Sequence, residues 1–148
     1  MLGKKLLCGT DGSRPAEKAI AFAVALAKET GMAVTFVNVN LVDLAMAQPT
    51  RHFWDRQEIA VIDEQTGREM QAARALAEEA GVTDVEYVVV AARNPAKAIV
   101  SYAAEHGCDH IVVGHGGRGA IGRWVLGSVA RDVVSYAAEC PVTVVPGG

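Results

Sequence analysis

The sequence predicts an α/β fold, a doubly wound parallel sheet with helices on both faces, on three observations. Short β-branched runs alternate with helical spacing along the whole chain, which calls for parallel strands joined by crossover helices. The chain has 148 residues, 51% of them apolar and only 5% aromatic. That mixture, carried by Ala and Val, suits helices packed on a buried parallel sheet better than an aromatic-rich sandwich. No second domain, linker or internal repeat shows itself, so residues 1–148 are expected to form one domain. At this size roughly 68–70% of the unfolded chain's surface is buried on folding, enough for a core without metal or disulfide.

Each element has its own warrant. Lys5 to Gly9 is an apolar run punctuated by Thr10-Asp11-Gly12-Ser13, a buried strand followed by a turn. Ser13 is placed to cap the next helix, with Pro15 tolerated in its first turn and Glu17 favoured near its positive end. Ile20, Val24 and Ala27 give that helix an inward face, and Gly31 stops it. Val34 to Val39 is the second strand. Leu41 to Gln57 has no clear period, contains Pro49 and His52-Phe53-Trp54, and reads as a long excursion. Its Arg51-His52-Phe53-Trp54 cluster is read as an ordinary packed segment before a lid or partner surface.

Helical spacing returns from Glu58 to Ala80 through Ile59, Ile62, Thr66, Met70, Ala73, Leu76 and Ala80, with Gly81 at the stop. Val85 to Val90 is the third strand. Asn94-Pro95 opens a helix that carries Ile99 and Tyr102 and ends near Gly107. Asp109 to Val113 is the fourth strand, Ser128 to Ala138 the last helix, and Val142 to Val145 the fifth strand.

Charge and cysteine content remove several classes. The net charge is −3, and no basic run offers a surface for nucleic acid. Cys8, Cys108 and Cys140 form an odd, scattered set without Cys-x-x-Cys spacing, expected to be buried small hydrophobes in a reducing cytosol. Met1 to Lys5 opens directly into an apolar run too brief for a signal-peptide core, and no stretch reaches the length of a membrane span. The expectation is a cytoplasmic protein without a membrane partner. Cys108-Asp109-His110 and His115 match no common zinc spacing, so no metal site is expected. A Ser-His-Asp hydrolase fails for want of a G-x-S-x-G elbow.

The chemistry concentrates between Gly114 and Gly127, which read GHGGRGAIGRWVLG and hold six of the chain's 15 glycines. A glycine-rich turn between a strand and a helix lets backbone N–H groups approach an anion, and the helix N-terminus adds its dipole. Ser128 sits where its hydroxyl could cap that helix or donate to a phosphate. The bland reading is a surface loop, but Ile121, Trp124, Val125 and Leu126 are poor company for solvent. Asp11, likewise, could be a turn residue bonding its own backbone. A Walker pattern is excluded because no lysine lies near. Gly114, Gly116 and Gly119 satisfy G-x-G-x-x-G, yet after the fourth strand rather than the first, so the dinucleotide reading is rejected.

Gly114-x-x-Gly117, nine further residues, then Gly127-Ser128 resembles the ATP-binding signature of the universal stress protein family. The likeness extends to Thr10-Asp11-Gly12-Ser13, the strand ending at Val39, Asn94-Pro95-Ala96, and the closing Cys140-Pro141-Val142-Thr143-Val144-Val145. It implies strand order 3-2-1-4-5, with the first and fourth strands flanking one crevice. It implies ATP, with or without Mg, as the ligand. The backbone around Val39 would face adenine, with Gly9, Thr10 and Asp11 beside the adenosine. Val113, Gly114, Gly116, Gly117 and Arg118 would border the ribose and phosphates, while Gly127, Ser128, Val129 and Ala130 would hold the phosphate chain.

Two positions depart from the family pattern: His115-Gly116 stand where an arginine is often seen, and Gly9 where some ATP-binding members carry proline. Both are expected to lower affinity, with Arg118 or Arg123 as the replacement charge. The resemblance also implies a homodimer paired through the Val142–Val145 edge. The role it implies is a regulatory module in the stress response; the alternative is a nucleotide-free dimeric interaction protein of the same fold. Only Asp11 or His115 could position a water near a terminal phosphate, so hydrolysis is expected to be weak and no residue is assigned as catalytic.

Overall fold

The computed structural model describes residues 4–10, 14–41, 51–52, 64–115 and 127–146. The strands are β1 (Lys5–Thr10), β2 (Ala33–Leu41), β3 (Arg51–His52), β4 (Val85–Ala92), β5 (His110–Gly114) and β6 (Val142–Val145). The helices are α1 (Arg14–Thr30), α2 (Glu64–Ala80), α3 (Pro95–Glu105) and α4 (Ser128–Tyr136). They form one sheet in the order β3-β4-β2-β1-β5-β6. The five long strands are parallel, and counted without β3 their order is the expected 3-2-1-4-5.

β3 is the addition. Arg51 and His52 pair antiparallel with Val89 and Val88, inside the stretch read from sequence as an excursion without regular structure. Two residues are too few to impose a period of two, so nothing in their composition announced a strand.

Side-chain alternation sends successive residues of each strand to opposite faces. Leu6 and Cys8 of β1, Val34 and Phe36 of β2, Tyr87 and Val89 of β4 pack under α1 and α2 with Ile20, Val24, Ala27, Met70 and Ala73. Leu7, Val37, Val88, Ile111 and Val113 pack under α3 and α4 with Ile99, Tyr102, Ala130 and Val133. The sheet is therefore covered on both sides, which is why its central strands are nearly continuous apolar runs.

The helix ends are local chemistry. Glu17 in the first turn of α1 and Lys28 in the last both complement the helix dipole. Asn94 caps α3, its Oδ1 accepting from the Lys97 amide at 3.1 Å, with Pro95 in the first helical position. Gly31 and Gly81 take φ of +74° and +79° just past α1 and α2, a conformation that favours glycine.

Two expectations are corrected here. Leu76 is not inward: it is 37% exposed, and Ala77 at 2% takes the place. The buried stripe runs Met70, Ala73, Ala77, and Leu76 lies about 100° around the helix from Ala77. Ser128 does not cap α4. Gly127 is the N-cap, in extended conformation with no side-chain capping bond, and Ser128 is the first helical residue with an exposed side chain. A serine one position inside the cap lacks the extended backbone from which a cap hydroxyl reaches back to the first turn. The caps expected at Ser13, and the helical turn expected from Glu58, lie outside the described residues.

Candidate functional site

The centre of the sheet is where the connections part. β1 leads towards α1 on one face, and its neighbour β5 leads towards α4 on the other. Adjacent parallel strands whose continuations diverge leave a crevice beyond their carboxyl ends, the usual ligand position in open α/β sheets. The residues expected from sequence distribute themselves around this crevice by depth.

Gly9, Thr10, Val113 and Ala130 lie below it. Gly9 is buried, and a Cβ there would stand 3.0 Å from Ile99 Cδ1 and 3.4 Å from Val113 Cγ1. Thr10 is 9% exposed, and its hydroxyl donates to the Val37 carbonyl at 3.4 Å. Val113 and Ala130 are 3% and 2% exposed, their side chains in the core beneath α3 and α4. These side chains shape the floor; Val113 and Ala130 can offer a ligand only main-chain atoms. Val39, Gly114, Gly127 and Val129 are half-buried and Ser128 is exposed, so they form the accessible rim. Asp11, Gly116, Gly117 and Arg118 lie outside the described residues.

Main-chain bonds fix the rim. The His115 amide donates to the Val145 carbonyl at 2.8 Å, and the Gly127 amide donates to the His115 carbonyl at 2.9 Å. One residue past β5 thus ties the end of β6 to the start of α4. The Gly127 amide, expected to reach a phosphate, is committed to this tie. The first intrahelical bond of α4 runs from the Arg131 amide to the Gly127 carbonyl at 2.9 Å. The amides of Ser128, Val129 and Ala130 therefore have no acceptor within the helix and carry its positive end. That end is a ready receptor for negatively charged oxygens.

Sequence reasoning missed one feature under the crevice. Asn38 on β2 is 6% exposed and its Nδ2 donates to Oε1 of Glu69 on α2 at 3.3 Å; Glu69 is 8% exposed. With Thr10, Phe36 and Tyr87 they line a cavity of about 10 Å³, room for about one water. The signal was present in strand parity, since Asn38 follows Val34 and Phe36 on the inward face. Nearby, burial pushes the Cys8 thiol far above its ordinary range, with the Glu69 carboxyl adding to the effect. Cys8 is thus the buried small hydrophobe expected, whereas Cys108 and Cys140 are half-buried. Among the described residues no cluster of histidine, cysteine and carboxylate side chains could hold a metal, and no helix is long and apolar enough to cross a membrane.

The fold defines the class: a doubly wound parallel α/β protein whose connections part between β1 and β5. The Universal stress protein family model matches residues 3–146, and the chain belongs to that family. It is 33% identical over 145 residues to universal stress protein MJ0531 of Methanocaldococcus jannaschii, covering 97% of this chain and 82% of the relative. A crystal structure of a universal stress protein in complex with cAMP superposes with a TM-score of 0.71 at 23% identity, covering 98% of both chains. The universal stress protein from Archaeoglobus fulgidus in complex with dAMP superposes with a TM-score of 0.66 at 22% identity, covering 97% of this chain and 98% of that one.

Proposed function

We propose that this chain binds an adenine nucleotide, ATP with or without Mg, in the crevice between β1 and β5, and works as a regulatory module of the stress response. The observation that carries the reading is the start of α4. Three successive first-turn amides, at Ser128, Val129 and Ala130, are left without an acceptor within α4, which starts where the Gly127 amide is tied to His115 at the end of β5. Two structural relatives hold cAMP and dAMP, which supports the adenine part of the proposal. Gly127 acts as a positioning residue, since its amide is engaged by His115, and the phosphate chain falls to the next three amides.

Asp11, Gly116, Gly117 and Arg118 complete the proposed site. Asp11 holds the adenosine, and Arg118 supplies the charge that His115 does not bring to the usual arginine position. The three free cysteines suit a reducing compartment, and the proposed location is the cytoplasm. No group is assigned to hydrolysis.

Binding is tested by calorimetry and thermal melting with Mg-ATP, AMP and cAMP in parallel. Ligand at a hundred times its dissociation constant stabilises the folded state by about 2.7 kcal/mol, a clear rise in melting temperature. No heat and no shift at millimolar nucleotide would remove the proposal.

Among the described residues β6 is the last strand of the sheet, and it presents half-buried Val142, Thr143 and Val144. We propose that two copies pair through this edge about a two-fold axis. Val144→Lys is expected to give monomers in sedimentation while leaving the circular dichroism spectrum intact; a dimer that persists would exclude this edge.

A further inference from the structure

Cys108 and Cys140 are 32 residues apart in sequence, yet the fold makes them neighbours. Cys108 lies between α3 and β5, directly after Gly107 with φ +66°. Cys140 lies between α4 and β6. β5 and β6 are adjacent and parallel, with Ile111 opposite Val142 and the Ile111 amide donating to the Pro141 carbonyl at 2.9 Å. Both cysteines therefore sit at the amino ends of neighbouring strands. Both pack against the same apolar cluster under α3 and α4, and both are half-buried.

The Cys140 sulfur is 3.7 Å from the Cys108 carbonyl oxygen. A disulfide requires Cα atoms roughly 4.4–6.8 Å apart, a range that includes the spacing of about 4.8 Å between neighbouring strands such as β5 and β6. Cys8, buried and on the opposite face of the sheet, is excluded from this pairing.

We propose that Cys108 and Cys140 are a redox modification site, forming a reversible intramolecular disulfide on exposure to a low-molecular-weight disulfide such as oxidised glutathione. Cys140, nearer the surface, loses its proton and attacks one sulfur of the oxidant. The oxidant's S–S bond breaks and one small thiol leaves with that electron pair. Cys108 then loses its proton and attacks the Cys140 sulfur, expelling the second small thiol. The two cysteines are oxidised by two electrons, the small disulfide is reduced to two thiols, and the two protons go with them.

The environment makes the response slow and conditional. Burial pushes the Cys108 thiol up to about 11, with Lys5 working against the rise and the Cys140 thiol adding to it. Burial also raises Cys140. Both are thiols at neutral pH, and since only the thiolate attacks, the rate is expected to climb about tenfold per pH unit there. The bridge encloses β5, the glycine-rich segment and α4, and fastens them at the end of the strands opposite the crevice. It thereby limits the unfolded chain without touching the opening.

The test is incubation of the native protein with oxidised glutathione at pH 7 and 8, alkylation, and peptide mass spectrometry without reduction. Arg118, Arg123 and Arg131 separate the two cysteines after tryptic cleavage, so a bridge joins two otherwise distinct peptides. The expected product is a single chain lighter by two hydrogens, with Cys108 joined to Cys140, Cys8 reduced, full reversal by dithiothreitol, and a higher melting temperature. Cys108→Ala and Cys108→Ser are each expected to stop at a glutathione adduct on Cys140. A wild-type protein that also stops at the adduct, or bridges only between chains, would overturn the proposal; a bridge that leaves the melting temperature unchanged would overturn the fastening role.

Discussion

The two faces of the sheet are built differently just below the crevice. Of the buried polar residues among those described, Thr10, Asn38 and Glu69 belong to the face under α1 and α2, and Thr35 to the other. Under α3 and α4 the fit is close: Gly9 has no Cβ, and Ile99 closes to within 3.0 Å of where one would stand. Under α1 and α2 the fit is looser, with a small cavity beside the Asn38–Glu69 hydrogen bond. One face supports the crevice by shape and the other by polar contact. Shape tolerates no added volume, whereas polar contact tolerates no missing partner.

The largest effect that would sharpen this contrast is on the close-packed face. Ile99→Ala is expected to cost about 2–5 kcal/mol in urea denaturation, since Ile99 is 4% exposed and packs among Leu7, Val37 and Val113. Gly9→Ala alone is expected to cost about 1 kcal/mol by overpacking, and to become neutral or stabilising once Ile99 is alanine. Strict additivity of the two would break the account of that face.

Next comes the polar face. Asn38→Ala and Glu69→Ala are each expected to cost about 1–3 kcal/mol, because each leaves the other side chain without this partner in a buried place. The double variant is expected to cost less than the sum by about 0.5 kcal/mol or more, read from a four-point denaturation cycle. No coupling would mean the 3.3 Å contact contributes nothing.

The smallest effect is a pH dependence. Burial lowers His110 below its ordinary value of 6.5, and its Nε2 lies 2.7 Å from Thr143 Oγ1. Between the folded and unfolded values the unfolded chain binds more protons, so stability falls as pH drops through about 6.5. The hydroxyl can accept from a protonated ring, so the hydrogen bond survives and the loss stays modest. His110→Gln is expected to flatten the fall in melting temperature between pH 7 and 5.5. Parallel curves for variant and wild type would assign the titration elsewhere.

The strands and helix stops were legible in the sequence because they rest on local chemistry. Gly31 and Gly81 stop helices because a positive φ favours glycine, and Asn94-Pro95 opens α3 because a carbonyl cap and a fixed φ suit a first turn. What escaped depends on which chain segment lies overhead. Asn38 carries the right parity for burial, but nothing in β2 says that a glutamate from α2 will meet it. The neighbouring of Cys108 and Cys140 follows from strand order and register, which spacing along the chain does not reveal. The cap of α4 was misplaced by one residue because serine is the commoner cap, whereas Gly127, held by its amide to the His115 carbonyl, takes the cap position and leaves the first-turn amides without a side-chain acceptor.

That last tie has an evolutionary side. Both bonds at His115 belong to the main chain, so nineteen of the twenty amino acids could supply them, proline alone lacking the amide. The segment from 116 to 126 begins and ends at a junction indifferent to its own spelling. A change of side chain at that junction is expected to leave the register of the sheet beneath as it is.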